Sequence, residues 1–339
     1  MRVGLIGGAV FVGRAVVEEA RGRGHDVVAF SRGVSGEPPA GTTWIRGDRE
    51  RDEDLAALVS EGPFDAIVDT SGFVPRVVGA SARALRGVTG RYVFVSSLSV
   101  YADGLGGADE SSPVFECPPD AGPEDGDYGT LKSGCERAAT EVFDDRAVLV
   151  RGGMILGPRE NVGRLPWWLR RIERGGEVLA PGRPGRPIQY VDARDLAAWI
   201  VDACCAPDGP SGPINAVSPP AFSTMGEVLE GSVEATGGDA RLVWLDDTFL
   251  LEHDAGPWHE LPLWVPENDE WAGFYEARTD RAADTGLSCR PVGETVDGTW
   301  AWLAEGGDPE PRSGLTPPGM DPDKERAILD AWHVERLEP

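Results

Sequence analysis

The chain has 339 residues, 41% of them hydrophobic, and its 32 Lys+Arg against 57 Asp+Glu give a formal net charge of -25; a phosphate backbone or an anionic membrane surface is repelled by that balance, so neither nucleic acid nor membrane is expected as a partner. No run approaches the roughly 20 apolar residues that span a bilayer, and the first residues lack the order of a signal peptide, so the chain reads as cytoplasmic. Five cysteines (Cys117, Cys135, Cys204, Cys205, Cys289) are odd in number and contain no CxxC pair, which points to free thiols and to no metal.

Residues 2–6, 26–30, 44–46, 66–69, 92–96 and 147–151 read as buried, β-branched strands. Between them 12–23, 52–60, 76–86 and 128–143 carry apolar residues at helical spacing. Strand and helix alternating at this pitch predict right-handed βαβ units, hence an α/β fold with a doubly wound parallel sheet. Residues 1–155 are read as this domain, with 187–217 returning to its sheet, and 156–339 mainly as a smaller, irregular substrate domain with a helical tail. The acidic, Gly- and Pro-rich stretch 102–127 is too long for a plain connector, and is either disordered or a lid. A second loop is expected over 306–323, before an amphipathic helix at 324–335.

The first strand runs into Gly7-Gly8 and, six residues after Gly7, Gly13. Gly7 permits a tight bend, the first helical N–H groups face an anion, and Gly13 lets the helix pack close to the sheet, so a dinucleotide pyrophosphate fits there. Val10 stands where a middle glycine is usual, and narrows the backbone approach. The second strand ends in Ser31-Arg32, which suit a 2′-phosphate and so NADP, with NAD the other possibility; a solvated surface arginine is the alternative. Asp48 and Arg49 follow the third strand and are read as cofactor-binding, the carboxylate near an adenine amine, with a solvated turn as the alternative. Thr70, Ser71 and Gly72 end the fourth strand in small residues suited to close approach by a cofactor.

Only two lysines occur in the chain, Lys132 and Lys324, so Tyr128-x-x-x-Lys132 is not a spacing that chance readily supplies. At i and i+4 the two side chains share one helix face, and a cation within about 4–6 Å of a phenol favours its ionised form, giving a proton donor and acceptor. The fifth strand ends in Ser96-Ser97-Leu98-Ser99, whose hydroxyls fit either a strand-end cap or a substrate oxygen that changes between carbonyl and alcohol.

Taken together, the Gly7-to-Gly13 turn, Ser97-x-x-Val100-Tyr101, Tyr128-x-x-x-Lys132 and Arg151-Gly-Gly-Met-Ile-Leu-Gly157-Pro158 resemble the extended short-chain dehydrogenase/reductases, the NAD(P)-dependent epimerase/dehydratase family. In more detail they look like the bacterial branch with a Gly-Gly-x-x-Phe-Val-Gly turn. The resemblance spans about residues 1–303, and Gln189-Tyr-Val-Asp192 matches the segment that returns to the sheet. It implies Tyr128 as general acid/base, Lys132 as its electrostatic partner and ribose ligand, and Ser97 (with Ser99 as substitute) as the hydroxyl that orients the substrate. It also implies Phe11 and Val12 in the cofactor turn, and Gly152, Met154 and Ile155 against the nicotinamide.

Leu98-Ser99 stands where the family's dehydratases carry an Asp-Glu pair, which leaves reversible hydride transfer at a secondary alcohol, as a reductase or an epimerase. Arg164, Trp168 and Gln189 are the candidate contacts to a small hydroxylated or sugar-like substrate, although the tryptophans at helical spacing fit a core equally well. Trp244, Trp258, Trp264 and Trp271 are read as packing for the small domain or for a mobile flap. The family's habit of pairing two helices per subunit implies a homodimer through 76–86 and 128–143. A dinucleotide-binding regulator without catalysis is the alternative function.

Overall fold

A computed structural model describes residues 1–206, 209–309 and 316–336. Two compact units are present: Met1–Ile155, Tyr190–Pro219 and Glu276–Cys289 in the first, and Leu156–Gln189, Pro220–Tyr275 and Arg290–Pro339 in the second.

The first unit is built on strands β1 (Arg2–Ile6), β2 (Asp26–Ser31), β3 (Thr43–Arg46), β4 (Phe64–Asp69), β5 (Thr89–Ser97) and β6 (Ala147–Gly152), completed by Gly212–Ala216. All neighbours pair in parallel, and the order is Gly212–Ala216, β6, β5, β4, β1, β2, β3. Helices α1 (Phe11–Gly22), α2 (Asp52–Ser60), α3 (Pro75–Leu85) and α4 (Tyr128–Phe143) supply the crossovers. Successive strand residues face opposite ways. Val3, Leu5, Val27, Val68, Val93 and Val95 therefore form one core with α1 and the helix Ala193–Cys205. Ile6, Val28, Phe30, Ile67, Tyr92 and Phe94 form another with α2, α3 and α4. Ala138 and Ala139 belong to this second core, so the outward face of α4 is left with Arg137, Thr140 and Glu141.

Strands β4 and β5 are longer than their apolar runs predict. Thr89 and Arg91 are polar, but they pair with Phe64 and Ala66 of β4, so ladder hydrogen bonds extend the strand beyond its hydrophobic pattern. Segment 102–127 is neither disordered nor free of the core. Ala102 N donates to Pro113 O, Phe115 N to Val100 O and Gly107 N to Glu276 O, while Ala108, Cys117 and Ala121 are buried. Segment 276–289 was not distinguishable by composition from the small domain. It packs in the first unit, where the Arg281 guanidinium donates to Pro213 O at 2.8 Å.

In the second unit the strand Glu177–Pro181 pairs in parallel with Arg241–Leu245. Helix Met225–Thr236 starts with a full capping box from Thr224 and Glu227, and Asp321 caps Pro322–Glu335. Trp168 and Trp264 are core residues, and Trp258 and Trp271 meet Phe274 edge-on. The expected loop at 306–323 lies partly outside the described residues. No described helix is long and apolar enough to cross a membrane.

One buried ion pair anchors α4. Arg151 on β6 grips Glu136 through Nε at 3.0 Å and Nη2 at 2.8 Å, and its Nη1 donates to the Tyr101 hydroxyl at 2.9 Å. Tyr101 in turn donates to Asn215 Oδ1 at 2.6 Å. Removing one partner of such a pair strands a buried charge, so Arg151→Met is expected to lower the unfolding free energy by about 3–5 kcal/mol in urea titration. The double variant Glu136→Leu/Arg151→Met should recover most of that loss. Equal losses in the two variants would show that the charge pairing is not what matters.

Candidate active site

The strand order reverses between β1 and β4, and open α/β sheets bind ligands in the crevice at that point. Gly7 and Gly8 both hold left-handed backbone conformations, with φ of 113° and 97°. A side chain at position 7 would overlap Thr70 Oγ1, and one at 13 would lie 2.6 Å from the Gly8 nitrogen. Gly13 is therefore needed for α1 to approach the turn. Val10 sits in extended backbone, φ -128°, which any residue adopts, and it does not strain the turn; the positive φ falls instead on Phe11. No side chain caps the start of α1 and its first turn carries no acid. The N–H groups and positive dipole end are left without an internal anion, which fits a phosphate group.

Asp127 caps α4 by accepting from Thr130 N at 2.9 Å, which places Tyr128 at the first helical position and Lys132 one turn on. Lys132 is buried, and its ammonium donates to Gly72 O and to Val95 O, each at 2.8 Å. It also faces the rings of Phe73 at 4.7 Å, Phe94 at 4.8 Å and Tyr128 at 5.9 Å. Tyr128 itself is 50% exposed, whereas Tyr92, Tyr101, Tyr190 and Tyr275 are buried. Tyr128 is therefore partly open to a ligand while its ring lies 5.9 Å from a fixed cation.

Ser97 ends β5, accepts from Ser99 N and donates to Ser99 Oγ, both at 3.1 Å. A side chain at Gly129 would overlap the Ser99 carbonyl oxygen. The first turn of α4 thus rests directly on the Ser97–Ser99 turn, and Tyr128 and the serine pair share one end of the sheet. Gly152 follows β6, with Met154 buried and Ile155 packed on the first core. A hydroxyl pair, a phenol and an ammonium at one edge can hold an alcohol oxygen and exchange its proton.

Other sequence candidates fall elsewhere. Arg32 is exposed at the end of β2, and Ser31 Oγ accepts from Trp44 Nε1 at 3.1 Å. Asp48 accepts from Glu50 N at 3.1 Å. Arg49 turns inward, onto Asp69 and Ser81, rather than outward. In the second unit Trp168 is fully buried and donates to Pro262 O at 2.6 Å, so its role is packing and it has no free face for a substrate. Arg164 pairs with Glu160 at 3.2 Å and stacks on Trp258, and Gln189 is buried. Sequence reasoning missed Phe73, Phe94 and Gly129. The glycine directly after the tyrosine was the available signal.

Gly→Ala inside a helix ordinarily stabilises by roughly 1 kcal/mol. The overlap with Ser99 reverses the sign for Gly129→Ala, which should lower the denaturation midpoint, whereas exposed Gly293 in the helix Val292–Ala304, with nothing within 4 Å, should tolerate alanine or gain from it. A stabilised Gly129→Ala would contradict the close approach.

The family model for the NAD dependent epimerase/dehydratase family matches residues 3–216. No curated protein matches the chain by sequence. Among solved structures, the Bordetella bronchiseptica enzyme WbmG in complex with NAD and UDP is 19% identical, with 94% of this chain and 99% of that one covered and a TM-score of 0.66. UDP-glucuronic acid 4-epimerase from Bacillus cereus in complex with NAD is 14% identical, covering 90% and 99% with a TM-score of 0.64. Thermus thermophilus UDP-glucose 4-epimerase complexed with NAD is 18% identical, covering 90% and 99% at 0.62. These likenesses are ones of fold; the family match, which spans more than half of the chain and contains the glycine turn, the serine turn and the Tyr128/Lys132 helix, is what places this chain in the NAD dependent epimerase/dehydratase family, among the nicotinamide-dependent enzymes.

Proposed function

We propose that the chain catalyses reversible hydride transfer at a secondary alcohol or ketone, as an epimerase or reductase, on a small hydroxylated or sugar-like substrate. The observation that carries this reading is the Lys132 ammonium, clamped between two carbonyl oxygens beneath a half-exposed Tyr128 phenol. The names of the proteins similar in fold, several of them UDP-sugar 4-epimerases, support nucleotide sugars as the first substrates to test.

A nicotinamide dinucleotide, when bound, supplies the hydride acceptor and donor. Gly7, Gly8, Phe11, Val12 and Gly13 would hold its pyrophosphate at the uncapped start of α1, with Thr70, Ser71 and Gly72 alongside and Asp48 near the adenine. Gly152, Met154 and Ile155 would line the nicotinamide. Tyr128 takes the proton of the substrate hydroxyl and later returns it. Ser97, paired with Ser99, holds the same oxygen as it changes between alcohol and carbonyl. Lys132 opposes negative charge as it develops on the phenol, and its remaining N–H is available to ribose hydroxyls. With Leu98-Ser99 after Ser97, the chain has no acid/base pair there for dehydration.

NADP is the preferred dinucleotide in this reading, supported by exposed Arg32 after β2 and exposed Arg46 at the end of β3, whose Nε donates to Arg32 O at 3.1 Å, two guanidinium groups suited to a 2′-phosphate. A homodimer through α3 and α4 is also proposed. Its exposed residues, Arg76, Arg83, Arg137 and Glu141, make such an interface polar.

Purified chain should interconvert at least one member of a panel of UDP-glucose, UDP-galactose, UDP-glucuronic acid and their 4-keto forms, followed by proton NMR with added NADP(H) or NAD(H). Tyr128→Phe should lower kcat by about 10² or more. Turnover equal to the parent in that variant removes the phenol from the mechanism, and dinucleotide binding without any hydride exchange favours the regulator. NADP(H) should raise Tm more than NAD(H) does, and Arg32→Ala should abolish the difference. An unchanged difference assigns Arg32 to the solvated surface.

A further inference from the structure

Asp69, the last residue of β4, is wholly buried. Its carboxylate accepts four hydrogen bonds: from Arg49 Nη1 at 2.9 Å and Nη2 at 2.7 Å, from the Tyr92 hydroxyl at 2.7 Å, and from Ser71 N at 3.1 Å. Burial alone would raise its pKa, but the charge and the forked hydrogen bonds of Arg49 outweigh burial and hold the carboxyl below its usual range. The same burial, with Asp69 beside it, pushes the Tyr92 phenol far above its own. Arg49 Nε reaches Ser81 on α3 at 3.1 Å, so the side chain expected to face a cofactor has its donors directed inward.

A buried pair of this kind is a costly way to hold strands together, since well-packed apolar residues do as well or better. What an apolar residue could not do is fix the turn that follows. The bond to Ser71 N sets the backbone one residue before Gly72. Gly72 is closely packed in turn, since a side chain there would lie 2.5 Å from Phe94, 2.6 Å from Val78 and 3.3 Å from the Asp69 carboxylate. Its carbonyl oxygen is one of the two that hold Lys132, and Phe94 is one of the rings beneath the ammonium.

We propose that Asp69, gripped by the forked hydrogen bonds of Arg49, is a positioning residue for Lys132: it sets the Gly72 carbonyl and, through it, where the ammonium stands relative to Tyr128. The inference deepens the proposed function and rests on its assignment of Lys132 to the site. It gives Arg49 a task different from cofactor contact.

The scarcity of lysine provides a readout that needs neither substrate nor cofactor. Lysine labelled with 13C at the ε carbon gives two side-chain signals in the full-length chain, Lys132 in the first unit and Lys324 in the second, assigned with Lys324→Arg. Ring currents from Phe73, Phe94 and Tyr128 shift the Lys132 ε protons away from an exposed lysine's position. In Asp69→Asn the Lys132 signal should move towards that position while the Lys324 signal stays within a linewidth, which separates local displacement from general loosening. Tyr92→Phe removes less of the network, adds no lysine, keeps the reading open should Asp69→Asn not fold, and should move the signal the same way by less. With any panel substrate that turns over, Asp69→Asn should cut kcat about tenfold with KM little changed. A Lys132 signal at the parent position in every folded variant overturns the proposal. Absence of turnover in the parent chain would sink the enzymatic reading and leave the lysine measurement standing.

Discussion

An ammonium withdrawn from water costs several kcal/mol unless its N–H groups find partners, and the fold meets that cost for Lys132 with two backbone carbonyls and three aromatic faces. Those partners come from three places: the turn after β4, with Gly72 and Phe73, the strand β5, with Phe94 and Val95, and Tyr128 at the start of α4. None can shift without loosening the cation. The position of Tyr128 therefore depends less on α4 alone than on how β4, β5 and α4 are held together. Two buried charge networks, Arg49–Asp69–Tyr92 and Glu136–Arg151–Tyr101–Asn215, reach these same elements through Asp69, Tyr92 and Glu136. One fixes the turn that presents a carbonyl to the lysine; the other ties the next turn of α4 to β6 and to the segment after Ser97.

The doubly wound sheet was legible because its signals are local. Continuous β-branched runs alternating with helix-period segments imply a parallel sheet, and each of the six strands read from the first 151 residues has its counterpart in the structure. Tyr128 and Lys132 were legible for a related reason, since i and i+4 share a face whatever the tertiary context. The neighbours of Lys132 were not: Gly72 and Val95 contribute backbone oxygens, which leave no trace in side-chain chemistry. Arg49 was misread because a cation after β3 looks the same whether it faces solvent or a buried acid 20 residues later. The hint was Asp69 itself, an acid at the end of an otherwise apolar strand, which has to be paired or neutral when buried.

Trp168 illustrates the opposite error. An aromatic residue among arginines resembles a ligand contact, yet the indole is fully buried in the second unit, with its one polar atom satisfied by a carbonyl. Helical spacing of Leu165, Trp168, Leu169 and Ile172, all buried, was the more reliable signal. Segment 102–127 misled in another way, since glycine and proline suggested mobility. The buried Cys117 and the strand-like bonds around Tyr101 and Val114 keep it attached to the sheet edge that carries Ser97.

The sheet is assembled from segments far apart in the chain, with Gly212–Ala216 closing the edge of β6 and Ala193–Cys205 covering one face. During synthesis, a nascent chain that has reached only residue 155 holds six strands with an open apolar edge and half a covering layer. Such an edge is a template for association with other chains. The strand order thus leaves β6 unpaired on one side until some sixty further residues have been made.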